Sequence, residues 1–377
     1  MLVVLTNIPT PYRTAFFNVL KGQLEKQNIG FHVLYMAKTE PRRFWKFHAD
    51  ENQYEYTFLK GFHPTFKSFY PHFNPSVVAQ VKKLKPTWIL LAGSWNAPSV
   101  IQILMSKNSL EAKTIFWSEG HLDAQRSMSH IIDRLRGFIY RSIDAFVVPN
   151  SKSRDYIKLY SNKAPIGMLP NTIDENFFNS DETDSKEKLR LKFKIPSDKK
   201  VLLSVATLSD RKGIMEMVEA YHILPVSQRE QIILVLAGTG ELAERIQKFK
   251  DEHQLDGLYL VGQLSPEQVR EYMQMADFFI LPTKLDPNPL TPIEACFMKT
   301  PIILSRKAGN HEELLIADTG FSIDEITPEK IKVQLLKVLD LTPQQIEEMG
   351  EAAYMNVRDR FSRESAAEGL IAFIKTL

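Results

Sequence analysis

Phe278-Phe279-Ile280-Leu281-Pro282-Thr283-Lys284-Leu285-Asp286-Pro287-Asn288-Pro289-Leu290-Thr291-Pro292-Ile293-Glu294-Ala295-Cys296 is the stretch that decides the fold. Its four opening apolar residues read as a buried strand that stops at Pro282. Asp286 to Pro289 form a stiff loop, because proline fixes its own φ and restricts the residue before it. Thr291 is placed as an N-cap, Pro292 as the first helical residue, and Glu294 as the carboxylate of a capping box. In open α/β sheets, ligands bind beyond the carboxyl ends of strands, where helix N-termini attract anions. Asp286 and Glu294 therefore stand where a phosphate-bearing ligand would lie. Taken alone, Thr-x-x-Glu before an apolar run is a common helix cap. The surrounding sequence carries the functional reading.

Outward from that stretch, short apolar strands alternate with helical segments along the whole chain. The first half offers strands at Leu2–Leu5, Phe31–Tyr35, Trp88–Ala92, Thr114–Trp117, Ala145–Val148 and Gly167–Leu169. The second offers Val201–Val205, Ile232–Ala237, Leu258–Val261, Phe278–Leu281, Pro301–Leu304 and Gly320–Ile323. This is the pattern of βαβ units and parallel sheets. A charged run without aromatics, Asp181 to Lys188, reads as a linker followed by a solvated helix. The fold class expected is α/β, with two Rossmann-like, doubly wound parallel-sheet domains facing across a cleft. Their expected spans are 1–175 and 176–361, and the last helix, within 362–377, can pack on either. Residues 40–75 leave the rhythm: Arg42-Arg43-Phe44-Trp45-Lys46-Phe47-His48, Phe62, Phe66, Lys67, Phe69, Tyr70 and Phe73 interleave cations with aromatics. Such a mixture rests on an anionic membrane surface, lines an acceptor groove, or packs as basic stems over core rings.

Composition narrows the classes. At 377 residues the chain exceeds one ordinary core, and 44% hydrophobic with 24% charged residues reads as globular. A net charge of +2 argues against a nucleic-acid partner held by phosphate contacts. The lone Cys296, among apolar neighbours, excludes an internal disulfide framework and reads as an inert buried thiol. Met1 to Thr6 reads as a strand, because a signal peptide needs a basic start and a longer apolar run. No apolar run approaches a bilayer's thickness. The expected location is cytoplasmic, and association at the cytoplasmic face of a membrane is one of the three readings of residues 40–75.

Several strand ends carry groups suited to chemistry. Val201–Val205 leads to Thr207, then to Arg211-Lys212-Gly213, adjacent cations able to neutralise a diphosphate. Ile232–Ala237 leads to Gly238-Thr239-Gly240 and Ala243, a loose dinucleotide pattern, which a tight turn explains equally well. In the first half, Asn7, Tyr12 and Arg13 follow the opening strand, and Glu119 and His121 follow Thr114–Trp117. Asn171 stands in Leu169-Pro170-Asn171-Thr172, near the expected hinge.

In order and spacing these pieces resemble the retaining family 4 glycosyltransferases of GT-B architecture, most strongly from Val147 to Leu315. Arg211-Lys212-Gly213 resembles the family's diphosphate-holding element, and Asp286 to Glu294 its E-x7-E motif. Gly240 and Leu264 close stretches similar to the two strand ends between them. Pro301-Ile-Ile-Leu-Ser305 with Gly309 is similar to the family's next strand and loop, beyond the motif. Three positions depart: Asp286 replaces Glu, Thr207 stands where an Arg is common, and Pro289 stands where Gly is common.

The resemblance implies transfer of a hexose-type sugar from a nucleotide diphosphate sugar to a hydroxyl, with retention and without a metal or other cofactor. Catalytic roles fall to Asp286, Glu294, Lys212 and Arg211, and donor binding to Thr207, Gly238, Leu264, Asn288, Leu290 and Thr291. Asn7, Tyr12, Arg13, Glu119, His121 and Asn171 would face a glycan or lipid-linked acceptor. Two readings compete with this one. Gly238, Gly240 and Ala243 allow a nicotinamide-dependent oxidoreductase, although no acidic residue is well placed to hold its ribose. The departures allow a nucleotide-sugar-binding homologue without turnover.

Overall fold

The computed structural model describes residues 1–40, 49–65, 70–122, 130–178 and 184–377. The chain forms two units, Met1–Thr172 with Arg363–Leu377, and Ile173–Ser362. Each is a parallel sheet with helices on both faces.

In the first unit the strands are β1 (Leu2–Thr6), β2 (Phe31–Tyr35), β3 (Glu55–Phe58), β4 (Trp88–Ala92), β5 (Lys113–Trp117), β6 (Ala145–Val148) and β7 (Ile166–Met168). They lie in the order β3-β2-β1-β4-β5-β6-β7. Alternate residues of β1 supply opposite faces, as the pleat dictates. Leu2 and Val4 pack with Phe16, Phe17 and Leu20, while Val3 and Leu5 pack with Val77, Val81 and Ile103. Burial on both faces explains why these strands read as continuous apolar runs. Register brings Thr6 level with Tyr35 and Ala92, so the carboxyl ends of three strands emerge together.

β3 corrects the reading of residues 40–75 as wholly outside the α/β rhythm. Glu55–Phe58 pairs in parallel with His32–Tyr35 as the edge strand. Two of the aromatics near it are packing groups, with Phe58 and Tyr56 rings 5.4 and 6.2 Å from that of Tyr35. The last helix, Arg363–Ile374, belongs to this unit, where Leu370, Ile371 and Ile374 join the β1 core.

The second unit comprises β8 (Lys200–Val205), β9 (Ile232–Ala237), β10 (Leu258–Gly262), β11 (Phe278–Leu281), β12 (Ile302–Ser305) and β13 (Gly320–Ile323). Their order is β10-β9-β8-β11-β12-β13, all parallel. Strand order reverses between β8 and β11, so the loops after these two strands flank the sheet's switch point, where α/β folds bind ligands. Cys296 is buried against Val201, Phe279 and Ile293, and burial pushes its thiol well above the usual range.

Candidate functional site

The loops after β8 and β11 are laced together at the switch point. Arg211 Nη1 donates to the Leu285 carbonyl (2.7 Å), and the Arg211 carbonyl accepts from Lys284 N (2.9 Å) and Thr283 Oγ1 (3.1 Å). Gly213, at φ 66°, permits the turn that carries both cations, because a Cβ there would press on the Pro282 carbonyl. Lys212 Nζ makes an ion pair with the nearly buried Asp286 carboxylate. Asp286 also receives Asn288 N at 3.3 Å on its side chain and Gly309 N at 2.8 Å on its carbonyl. Asn310 Nδ2 donates to the Pro289 carbonyl (2.8 Å), so the loop after β12 buttresses the whole segment. A third cation nearby, Lys284, is held by Asp210 and Glu216.

Beside this cluster a cavity of about 280 Å³ opens at the carboxyl ends of β8, β9 and β10. Thr207, Gly238, Leu264 and Thr291 all line it. Gly238 and Gly240 have a structural reason: a Cβ on either would strike the Ala206 or Leu208 carbonyl of the neighbouring chain. The turn alone therefore accounts for the glycines of the dinucleotide-like pattern. Asn288 and Leu290 are half-buried in the loop leading to the helix Thr291–Phe297.

That helix begins one residue earlier than the cap pattern suggests. Leu290 is the N-cap residue, with helical φ −83° and ψ −36°, and no side chain caps the helix. The Leu290 carbonyl already accepts from both Ile293 N (2.8 Å) and Glu294 N (3.0 Å). Thr291 is thus the first helical residue, Pro292 the second, and the capping box is not formed. Glu294 is left half-buried, without a side-chain hydrogen bond or ion pair among the described residues. Burial pushes its carboxyl up to about 7.

In the first unit, a cavity of about 430 Å³ lies at the carboxyl ends of β1, β4 and β5 and is lined by Asn7, Tyr12, Arg13 and Glu119. Arg13 straps two strand ends, its Nη1 donating to Thr6 Oγ1 and to the Ala92 carbonyl, both at 2.7 Å. Its guanidinium lies 4.9 Å from the centre of the Trp117 ring and 3.9 Å from Glu119. Asn7 Oδ1, Thr10 Oγ1 and Arg13 Nε are buried without a partner among the described residues. Unmet buried polar atoms are costly, and a cluster of them in a cavity wall suits a polar ligand. His121 is buried and does not line the cavity, and neither does the half-buried Asn171.

Sequence reasoning missed Glu40, which also lines this cavity. Its Oε1 lies 3.0 Å from His72 Nε2, and His72 Nδ1 lies 3.1 Å from His63 Nδ1. Nothing in the local pattern marks these three residues as neighbours. Ser94, by contrast, follows the strand Trp88–Ala92 and was findable by the strand-end rule that found Asn7. Of the basic and aromatic stretch, Arg42 to His48, Phe66, Lys67 and Phe69 lie outside the described residues. Phe62 and Phe73 are exposed and pair through their backbones. Among the described residues no helix is long and apolar enough to cross a membrane.

Residues 185–355 match the family model for glycosyl transferases group 1. The chain carries a group 1 glycosyltransferase domain. Arg211, Lys212, Asp286 and Glu294 all fall inside this group 1 domain. The chain is 27% identical over 216 residues to the alpha-monoglucosyldiacylglycerol synthase of Streptococcus pneumoniae, covering 55% of this chain and 47% of that one. It is 30% identical over 155 residues to the putative teichuronic acid biosynthesis glycosyltransferase TuaC of Bacillus subtilis, covering 40% and 37%. It therefore spans about half the length, or less, of these curated relatives. Alr3699/HepE of Anabaena, solved in complex with UDP, aligns over 100% of both chains with a TM-score of 0.77 at 13% identity. That likeness is one of fold, and the fold is the two-sheet GT-B type expected from the sequence.

Proposed function

We propose that the protein is a retaining glycosyltransferase. It would move a hexose-type sugar from a nucleotide diphosphate donor to a hydroxyl of a glycan or lipid-linked acceptor, at the cytoplasmic face of a membrane and without a resident metal. The observation that carries this reading is the pairing of Lys212 with Asp286 beside Arg211, within the matched domain and in the two loops whose Thr207 and Thr291 line a strand-end cavity. Breaking the bond between the sugar's anomeric carbon and the phosphate oxygen loads the leaving diphosphate with negative charge. Arg211, Lys212 and the N–H groups at Leu290 and Thr291 are the chain's own groups for stabilising it. A diphosphate competes with Asp286 for Lys212 and so frees that carboxylate for hydroxyls of the donor sugar. Glu294, without a side-chain partner among the described residues, accepts from the nucleotide ribose. The first unit's cavity, with Arg13, Asn7 and Glu119, takes the acceptor. The relatives' names, one a glycolipid synthase and one a teichuronic acid glycosyltransferase, support glycolipid or surface polysaccharide assembly as the setting.

A thermal-shift screen over UDP, GDP and their sugars tests the donor assignment, since a ligand bound only by the folded form raises its stability. At least one nucleotide sugar should raise the melting temperature of the wild type and not of Lys212→Ala. If none does, the donor site is wrong. Proton NMR of the product then reads its anomeric configuration. Inversion would overturn retention, and donor binding without transfer over a broad acceptor panel would leave a binding protein.

A further inference from the structure

The helix His130–Arg141 wears its side chains the wrong way round for a surface in water. Arg136 points inward: it is only 5% exposed, donates to Tyr160 Oη at 3.2 Å, and lies 5.0 Å from the centre of the Trp95 ring. Ile139 and Tyr140 are buried with it. Ile131, Leu135 and Phe138, at 79%, 51% and 70% exposure, face out. Their spacing of i, i+4 and i+7 makes one continuous stripe, on the side opposite Arg136 and Tyr140.

Charge decides what the stripe meets. Arg134 and Arg141 are exposed and border it on one flank. The helix's acidic residue, Asp133, is drawn toward Tyr160 Oη (2.6 Å) and Arg136 (3.9 Å). An apolar stripe with a cationic margin fits the headgroup boundary of an anionic bilayer. A second copy of the chain fits it poorly, because a two-fold contact would set the same arginines near each other. We infer that Ile131, Leu135 and Phe138 enter the interface of an anionic membrane, with Arg134 and Arg141 among its headgroups. The inner face of the same helix delivers Tyr140 to the first unit's cavity, so one helix separates lipid from the cavity. The inference rests on the helix's surface chemistry and not on the catalytic reading.

Flotation of the purified chain with vesicles tests it directly. Wild type should float with vesicles of equal parts phosphatidylcholine and phosphatidylglycerol, and much less with phosphatidylcholine alone. Leu135→Ser/Phe138→Ser should cut partitioning roughly a hundredfold, from the lost apolar burial. Arg134→Glu/Arg141→Glu should cut it about twentyfold or more on the anionic vesicles alone. These side chains are exposed, so melting temperatures should stay at the wild-type value. As a second readout, Phe138→Cys labelled with an environment-sensitive dye should shift its emission to the blue on anionic vesicles, since buried Cys296 does not compete for label. Wild type that does not float, a serine variant that floats equally well, or an unshifted label overturns the inference. So does light scattering that shows a dimer dissolved by Leu135→Ser/Phe138→Ser without vesicle binding, which assigns the stripe to a second copy.

Discussion

Lys212 and Asp286 are nearly buried and hold one another, so removing either strands the other. Lys212→Ala should cut turnover roughly ten- to a thousandfold through lost charge stabilisation at the leaving group. It should also lower stability by about 2–4 kcal/mol, because Asp286 is left without its counter-charge. Lys212→Ala/Asp286→Asn separates the effects: denaturant melts should recover most of the stability while turnover stays low. Recovery of both would reduce the lysine to a structural partner. Glu294 makes a prediction of the opposite kind. Its carboxyl is raised from 4.5 to about 7, so the folded state holds a proton that the unfolded state has released. Stability must then fall as pH rises from 4.5 to 7 and level off above that, by roughly 1–3 kcal/mol for a half-buried group. Glu294→Gln should abolish that slope in melting curves taken across the range. If the ribose hydroxyls bind the ionised form, nucleotide affinity should drop as pH falls below about 7 in wild type and stay flat in the glutamine variant.

Among the elements, the turn after β9 tests why its glycines are there. Gly238 sits at φ 134° with the Ala206 carbonyl where a Cβ would go, and its N–H donates to the Gly262 carbonyl at 2.7 Å. Gly238→Ala should cost at least about 2 kcal/mol, since the side chain meets both a strained φ and a fixed backbone. Nucleotide affinity should fall with it, because Ala206, Thr207 and Gly238 form one wall of the cavity. Chemical denaturation and a nucleotide titration read the two effects separately, and unchanged stability would remove the packing argument. The central strands β1, β6, β9, β11 and β12 were legible because burial on two faces writes them as unbroken apolar runs. β3 was not, since an edge strand with Glu55 exposed and Tyr56 to Phe58 half-buried lacks that run. The strand-end rule pointed to Lys212, Asp286 and Arg13, and the structure places them just beyond β8, β11 and β1. It could not find the contact of Glu40 with His72, which depends on how distant segments pack. Thr291 misled for a local reason: Thr-Pro-x-Glu fits a cap, but the helical conformation of Leu290 moves the start back by one residue.

For the whole molecule, the chain leaves the first unit after Thr172 and returns to it at Arg363, which makes the last helix part of a core that begins with residue 2. An apolar face in the final residues was visible in sequence; its partner was not, because either unit could have taken it. The structure gives it to the helix Pro11–Glu25 and to β7, where Gly167 leaves room for the Phe373 ring. Deleting 363–377 uncovers the pocket of Leu370, Ile371 and Ile374. At about 1.5–3 kcal/mol for each large side chain, the first unit should lose roughly 5 kcal/mol or more. That is a large share of the stability of an ordinary domain, so the first unit should open while the second, whose core the deletion does not touch, stays folded. Limited proteolysis of the truncated chain should therefore cut within 1–172 and leave a resistant fragment spanning 173–362 that still gains melting temperature from its nucleotide. Equal resistance of both units would mean that the last helix is an accessory, and simultaneous loss of both would mean that the two cores fold as one.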